Sequence, residues 1–128
     1  MDKSVNPVEW LNRALSNLNL GKNIIPGVNL EDLCFNFQQS AEKALKAVLI
    51  KNNLKVPRTH SITELLSILN ENSVIVPEKI MKKAPMLSIY AVDTRYPDNY
   101  FVVDKDDYDE AIEIAELVYN WADSVIND

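Results

Sequence analysis

Apolar residues recur three and four positions apart along almost the whole chain, the spacing that gathers them on one face of a helix. Trp10, Leu11, Ala14, Leu15 and Leu18 form the first such face. Pro7 suits an early helical position and Gly21 a helix end, so the first helix is predicted between them. Residues 21–28 then form a loop punctuated by Gly21, Pro26 and Gly27. A longer stripe follows, made of Leu30, Leu33, Phe37, Ala41, Ala44, Leu45, Val48 and Leu49. Asn29 reads as its N-cap, Glu31 and Asp32 lie where the helix dipole favours anions, and Val28 and Leu33 are spaced as a hydrophobic staple. The stripe closes near Asn53 and marks the central helix. Ser61 with Glu64 forms a capping box ahead of a short helix through Leu65, Leu66, Ile68 and Leu69. Pro77 starts a fourth long helix with Ile80, Met81, Ala84, Leu87 and Ile89, bent at Pro85, which cannot donate a backbone hydrogen bond. Residues 92–103 are the longest irregular connection and have a local β-like composition. Asp104 or Asp106 caps the last helix, which carries Tyr108, Ala111, Ile112, Ala115, Val118, Tyr119, Ala122 and Ile126. The predicted fold is all-α: an up-and-down antiparallel four-helix bundle with an additional short helix, residues 1–128 forming one domain.

Residue counts remove many chemistries. With Gly21 and Gly27 as the only glycines, neither a dinucleotide fingerprint nor a phosphate-cradling loop can be built. One histidine, His60, and one cysteine, Cys34, cannot supply a histidine- or thiolate-rich metal site or an intramolecular disulfide. No Glu-x-x-His pair exists for a di-iron bundle, so no metal and no cofactor are expected. The amino terminus lacks an apolar signal core, and no apolar run approaches the length of a membrane span. A soluble protein of a reducing cytoplasm is the expectation, with no membrane partner.

Charge changes the picture by its placement. The net charge is −6, yet residues 104–128 carry nine acids against Lys105 alone, so the rest of the chain is net basic. Lys43, Lys46, Lys51, Lys55 and Arg58 oppose only Glu42 between residues 42 and 60, and Lys79, Lys82 and Lys83 form a second basic cluster. On a helix, Gln39, Glu42, Lys43 and Lys46 share one strip opposite the apolar stripe. Spacing alone leaves two readings, a solvated face or a surface turned toward an anion.

Three segments in order, FQQSAEKALKAVLIKNN, PRTHSITELL and DTRYPDNY, resemble the higher eukaryotes and prokaryotes nucleotide-binding (HEPN) domain in its small stand-alone prokaryotic form. The resemblance covers nearly the whole chain. It implies a helical bundle, commonly a homodimer, that binds a nucleotide or RNA and is often paired with a minimal nucleotidyltransferase in a toxin-antitoxin-like system. Many members are metal-independent ribonucleases using an arginine, four to six residues, then a histidine. There the arginine would neutralise charge on the scissile phosphate while the histidine transfers a proton. This chain departs from that pattern: the positions after Arg95 hold Tyr100, Phe101 and Val102, and those before His60 hold Asn53, Leu54 and Lys55.

The resemblance places Gln39, Glu42, Lys43 and Lys46 at a groove or a subunit boundary. Arg95 and Tyr96 become candidates for contacting a phosphate and stacking on a base. Arg95 can equally pair within the chain with Asp93, Asp98 or Glu42, and His60 can serve as a helix-entry residue. Trp10 and Trp121 read as core or dimer contacts and Cys34 as a small buried residue. The expected function is a binding module without robust nuclease chemistry. Its rivals are an atypical ribonuclease using Arg95 and His60, and a purely structural subunit that restrains another protein through its acidic final helix.

Overall fold

The computed structural model describes residues 6–91 and 102–128. Its elements are α1 (Pro7–Gly21), α2 (Leu30–Lys51), α3 (Ile62–Glu71), α4 (Glu78–Lys83) running into a 3₁₀ helix (Ala84–Tyr90), and α5 (Lys105–Asn127). The described residues contain no strand, so the all-α bundle expected from the periodicity is the fold found.

α1 begins where Asn6 Oδ1 accepts a 2.9 Å hydrogen bond from the Val8 amide, with Pro7 at the first helical position. It ends at Gly21 for a packing reason. A Cβ on Gly21 would come within 2.5 Å of the Phe37 ring, so only glycine lets α2 approach this closely. The Gly21 carbonyl accepts a 2.6 Å hydrogen bond from the Tyr108 hydroxyl, and the Phe37 and Tyr108 rings lie 5.6 Å apart at 49°. One junction thus ties α1, α2 and α5 together.

The contacts between α1 and α2 run in opposite order: Trp10 meets Lys46, the Ala14 carbonyl meets Ser40, and Asn17 meets Asn36. The two helices are therefore antiparallel. α2 touches α1, α3, α5 and the 3₁₀ helix. That explains why Ala41, Ala44 and Ala47 are buried along with Leu45, Val48 and Leu49, since neighbours cover this part of α2 on all sides but that of Lys43.

Both α2 and α3 end in left-handed residues, Asn53 (φ 59°) and Ser73 (φ 63°). The next amides, Leu54 and Val74, return to the carbonyls of Leu49 and Leu69 at 2.9 and 3.0 Å. These are Schellman closures that satisfy the last helical carbonyls.

Local details depart from expectation. Asn29 occupies the N-cap of α2 with extended backbone, but its side chain makes no capping bond, and Val28 is exposed. Ser61 Oγ does accept from the Glu64 amide at 3.1 Å, while the Ser61 amide turns to Thr59 Oγ1 at 3.0 Å, so Thr59 completes the cap. Asp104 and Asp107 form the full reciprocal box at α5. The fourth rod is less regular than predicted. Pro85 removes one amide, its ring opposes the carbonyl four residues back, and the chain tightens into the 3₁₀ helix. No helix among the described residues is long and apolar enough to cross a membrane.

Candidate functional site

Glu42 and Lys46 of the polar strip of α2, with Gln38 beside them, lie inside the protein, whereas Gln39 and Lys43 are partly buried. Gln38 is 1% exposed, and the Glu42 and Lys46 side chains are 3% and 9% exposed. A carboxylate so shielded from water is tolerated only with partners. Lys46 Nζ donates to Glu42 Oε2 at 2.9 Å and Gln38 Nε2 donates to Oε1 at 3.3 Å. His60 Nδ1 lies 3.3 Å from Oε1 and 3.2 Å from Oε2. Gln38 Nε2 also donates to the His60 carbonyl at 3.3 Å, and Gln39 Nε2 donates to Gln38 Oε1 at 2.8 Å. No buried side-chain nitrogen or oxygen among the described residues is left without a partner.

This network holds the segment between α2 and α3 against the bundle. Leu54 and Val56 pack on the core, and the bonds to His60 fix the far end of the segment. Between that segment and α1 lies a groove of about 640 Å³, lined by Trp10, Lys46, Ile50 and residues 54–60. Lys55, Arg58 and His60 are exposed on its rim. The His60 side chain is 83% exposed although Nδ1 reaches a buried carboxylate. Lys46 Nζ sits 5.7 Å from the centroid of the Trp10 ring, so the buried cation has an aromatic neighbour as well as its carboxylate.

Lys43 faces elsewhere. Its Nζ donates to Asn17 Oδ1 at 2.8 Å, and Asn17 Nδ2 donates to Asn36 Oδ1 at 3.0 Å. Burial holds the Lys43 ammonium below its usual range; Glu42 opposes that shift, while Arg13 and Lys46 add to it. With Glu9, Trp10 and Arg13, Lys43 lines a separate cavity of about 320 Å³.

The structure therefore joins Gln39, Glu42, Lys46 and His60 in one network and sets Lys43 on a neighbouring cavity. Arg95 and Tyr96 lie outside the described residues. Among the residues of the groove and its support that the sequence does not single out as a site are Trp10, Gln38, Lys55 and Arg58. Trp10 is half-buried against the core, as its stripe implies, and meets the groove as well. Trp121 also packs partly buried on the core. Cys34 is fully buried and its thiol is pushed up to about 12, first by burial and then by the charges of Asp107 and Glu31.

Fold and groove together define an all-α bundle module with a cationic, partly aromatic recess beside its central helix. The chain belongs to the HEPN domain family, whose model matches residues 8–125. Two solved structures are similar to it. One is TT1696 from Thermus thermophilus, at 30% identity and TM-score 0.81 over 93% of this chain and 97% of that one. The other is ST0689, described as an archaeal HEPN homologue, at 30% identity and TM-score 0.75 over 94% and 98% of the two chains. No curated protein gives a match.

Proposed function

We propose that this chain is a binding module for the phosphate-bearing part of a nucleotide or RNA, with the groove beside α2 as its recognition surface. The observation that carries the reading is the convergence of Lys55, Arg58 and His60 on the rim of a recess that also contains Lys46 and the Trp10 indole. Cationic donors match phosphate oxygens through charge-assisted hydrogen bonds, and an indole offers apolar contact to a base. Lys46 is already matched by Glu42, so the rim cations supply the attraction. The module works in the cytoplasm as a homodimer beside a minimal nucleotidyltransferase. Arg95 and Tyr96, which lie outside the described residues, are the further candidates for phosphate and base contact that the family resemblance supplies.

Titration calorimetry with nucleoside triphosphates tests this directly. Replacing both Lys55 and Arg58 with alanine should weaken binding at least about tenfold, because each charge-assisted contact contributes roughly 1.5–3 kcal/mol. Both side chains are exposed, so the fold should survive the change. No heat of binding with any triphosphate, in the intact protein, would refute the reading and favour an interaction-only subunit.

One observation favours a second reading. A buried carboxylate that orients an exposed imidazole, as Glu42 does for His60, is an arrangement suited to proton transfer. RNA incubated with the protein in a chelator should stay intact under the first reading. Cleavage lost in both His60→Ala and Arg95→Ala would establish a ribonuclease instead.

A further inference from the structure

The groove leaves Lys43 and Arg13 unused; both line the neighbouring cavity. Trp10 lines the 640 Å³ groove and also the 320 Å³ cavity that holds these two cations. Lys43 and Lys46 are a single helical turn apart on α2, about 4.5 Å of rise, so the two recesses are adjacent along the same helix. Among the described residues Arg13 pairs with Glu9 at 3.2 Å, and both side chains are at least half exposed. Such a pair is worth little in water and leaves the guanidinium able to turn to a stronger acceptor. Lys43 is held by Asn17, a neutral amide that fixes its position without cancelling its charge. Burial weighs most against its ammonium, Glu42 partly offsets that, and the nearby charges of Arg13 and Lys46 add to it, so an anion seated between Arg13 and Lys43 would favour the charged form.

Two cationic recesses divided by an indole make a pattern of charge, aromatic surface, charge. A mononucleotide carries its phosphates contiguously and matches one recess. A single strand repeats phosphate and base in alternation and matches both. We propose that the two recesses are successive subsites of one path, and that the ligand is a single-stranded oligonucleotide of at least two nucleotides. One phosphate lies at the Lys55, Arg58 and His60 rim, the next lies between Arg13 and Lys43, and an intervening base rests against Trp10. This assignment deepens the nucleotide-binding reading and rests on it.

The test compares uridine monophosphate with tetrauridylate by calorimetry, for the intact protein, for Arg13→Gln, and for Arg13→Gln with Lys43→Gln. Arg13 is exposed, so its single variant remains informative if the double variant unfolds. In the intact protein tetrauridylate should bind about tenfold tighter than the monophosphate, the gain expected from one further charge-assisted contact. Its affinity should also fall more steeply with salt, by about 0.7 in the logarithmic slope for each added phosphate contact. The ratio of the two affinities should shrink in the single variant and approach one in the double variant. Tetradeoxythymidylate assigns the strand: equal binding indicates any single strand and weaker binding narrows it to RNA, and either supports the path. A ratio of one in the intact protein, or a ratio that survives the double variant, overturns the second subsite and leaves the groove reading in place. Binding of neither uridine ligand would overturn both.

Discussion

α2 and α5 are the two longest helices, and both carry a face of charged residues, but the faces meet opposite fates. On α2, Gln38, Glu42 and Lys46 are enclosed by α1 and by the segment leading to α3, and their polar atoms are matched in pairs. On α5, Asp106, Asp107, Asp109, Glu110 and Glu113 are exposed. Their ion pairs, such as Lys105 with Asp109 and Lys22 with Glu116, are solvent-facing. The same residue types therefore act through different physics. Buried charge is governed by desolvation and by the presence of every partner, whereas exposed charge is governed by screened, mostly repulsive interactions along one helix. Position in the bundle, more than composition, decides whether a charged strip shapes a site or only solvates a surface.

The largest test of this contrast is the removal of Glu42. Glu42→Ala leaves Lys46 charged and enclosed and deprives Gln38 and His60 of their common acceptor. Breaking a buried pair in this way typically costs about 3–5 kcal/mol. The urea midpoint of the variant should fall accordingly, with no rescue by salt. Replacing the pair together, Glu42→Leu with Lys46→Met, removes both charges and should recover most of that loss. A Glu42→Ala variant destabilised by less than about 1 kcal/mol would mean that water reaches the strip and that the contrast with α5 is wrong.

Much of this architecture is legible in the sequence because it is local. The stripe from Leu30 to Leu49, the caps at Ser61 and Asp104, and the break at Pro85 depend on residues within a few positions of one another. Burial of Glu42 is not local. Spacing puts Gln39, Glu42, Lys43 and Lys46 near one another on α2, but it does not say that Trp10 arrives from α1 or that the Leu54 closure folds the next segment back over the strip. For the same reason Lys55 and Arg58 register in the sequence only as charge, and Lys43 and Lys46 look equivalent although they line different recesses. Gln38 was the nearest thing to a signal: an amide inside a stripe of apolar positions implies a buried partner.

A second, smaller effect comes from the place where the acids of α5 bear on α2. The Cys34 thiol is raised from 9.0 to about 12, by burial first and then by Asp107 of α5 and Glu31. A group whose folded pKa is raised contributes stability that is intact below its unfolded pKa and is lost as pH climbs toward the folded one. The window here is pH 9 to about 12. Within it, stability should fall by about 1.4 kcal/mol per pH unit for this group. Tyr90 and Tyr108, raised mainly by burial, act in the same direction above pH 10. Lys43, lowered mainly by burial, acts oppositely just below 10.5, because losing its proton relieves the folded state. Urea midpoints between pH 8 and 10.5 should therefore turn downward from about pH 9, and Cys34→Ala should move the onset toward pH 10. An unchanged onset in that variant would show that the thiol is not the group responsible.

The smallest effect belongs to α5 itself and runs in the stabilising direction. Glu110 is exposed and has Asp106, Asp107 and Glu113 at the positions three and four residues away on the helix, all of its own sign. Each such neighbour pair is worth about 0.2–0.5 kcal/mol, unfavourable between like charges and favourable between opposite ones. Glu110→Lys converts all three, with Asp106 set four residues ahead of the new lysine in the favourable order. Thermal and urea unfolding at low ionic strength should show a gain of about 1.2 kcal/mol, taking the low end of that range for exposed charges, and Glu110→Gln should show roughly half of it. Because these charges face water, the gain should shrink toward zero at 1 M salt, where the screening length is about 3 Å. The loss from Glu42→Ala should hold at the same salt, since its partners are enclosed. A salt-insensitive gain at Glu110 would place it in contact with other parts of the protein, and the division between an enclosed strip on α2 and a solvated one on α5 would no longer follow from exposure.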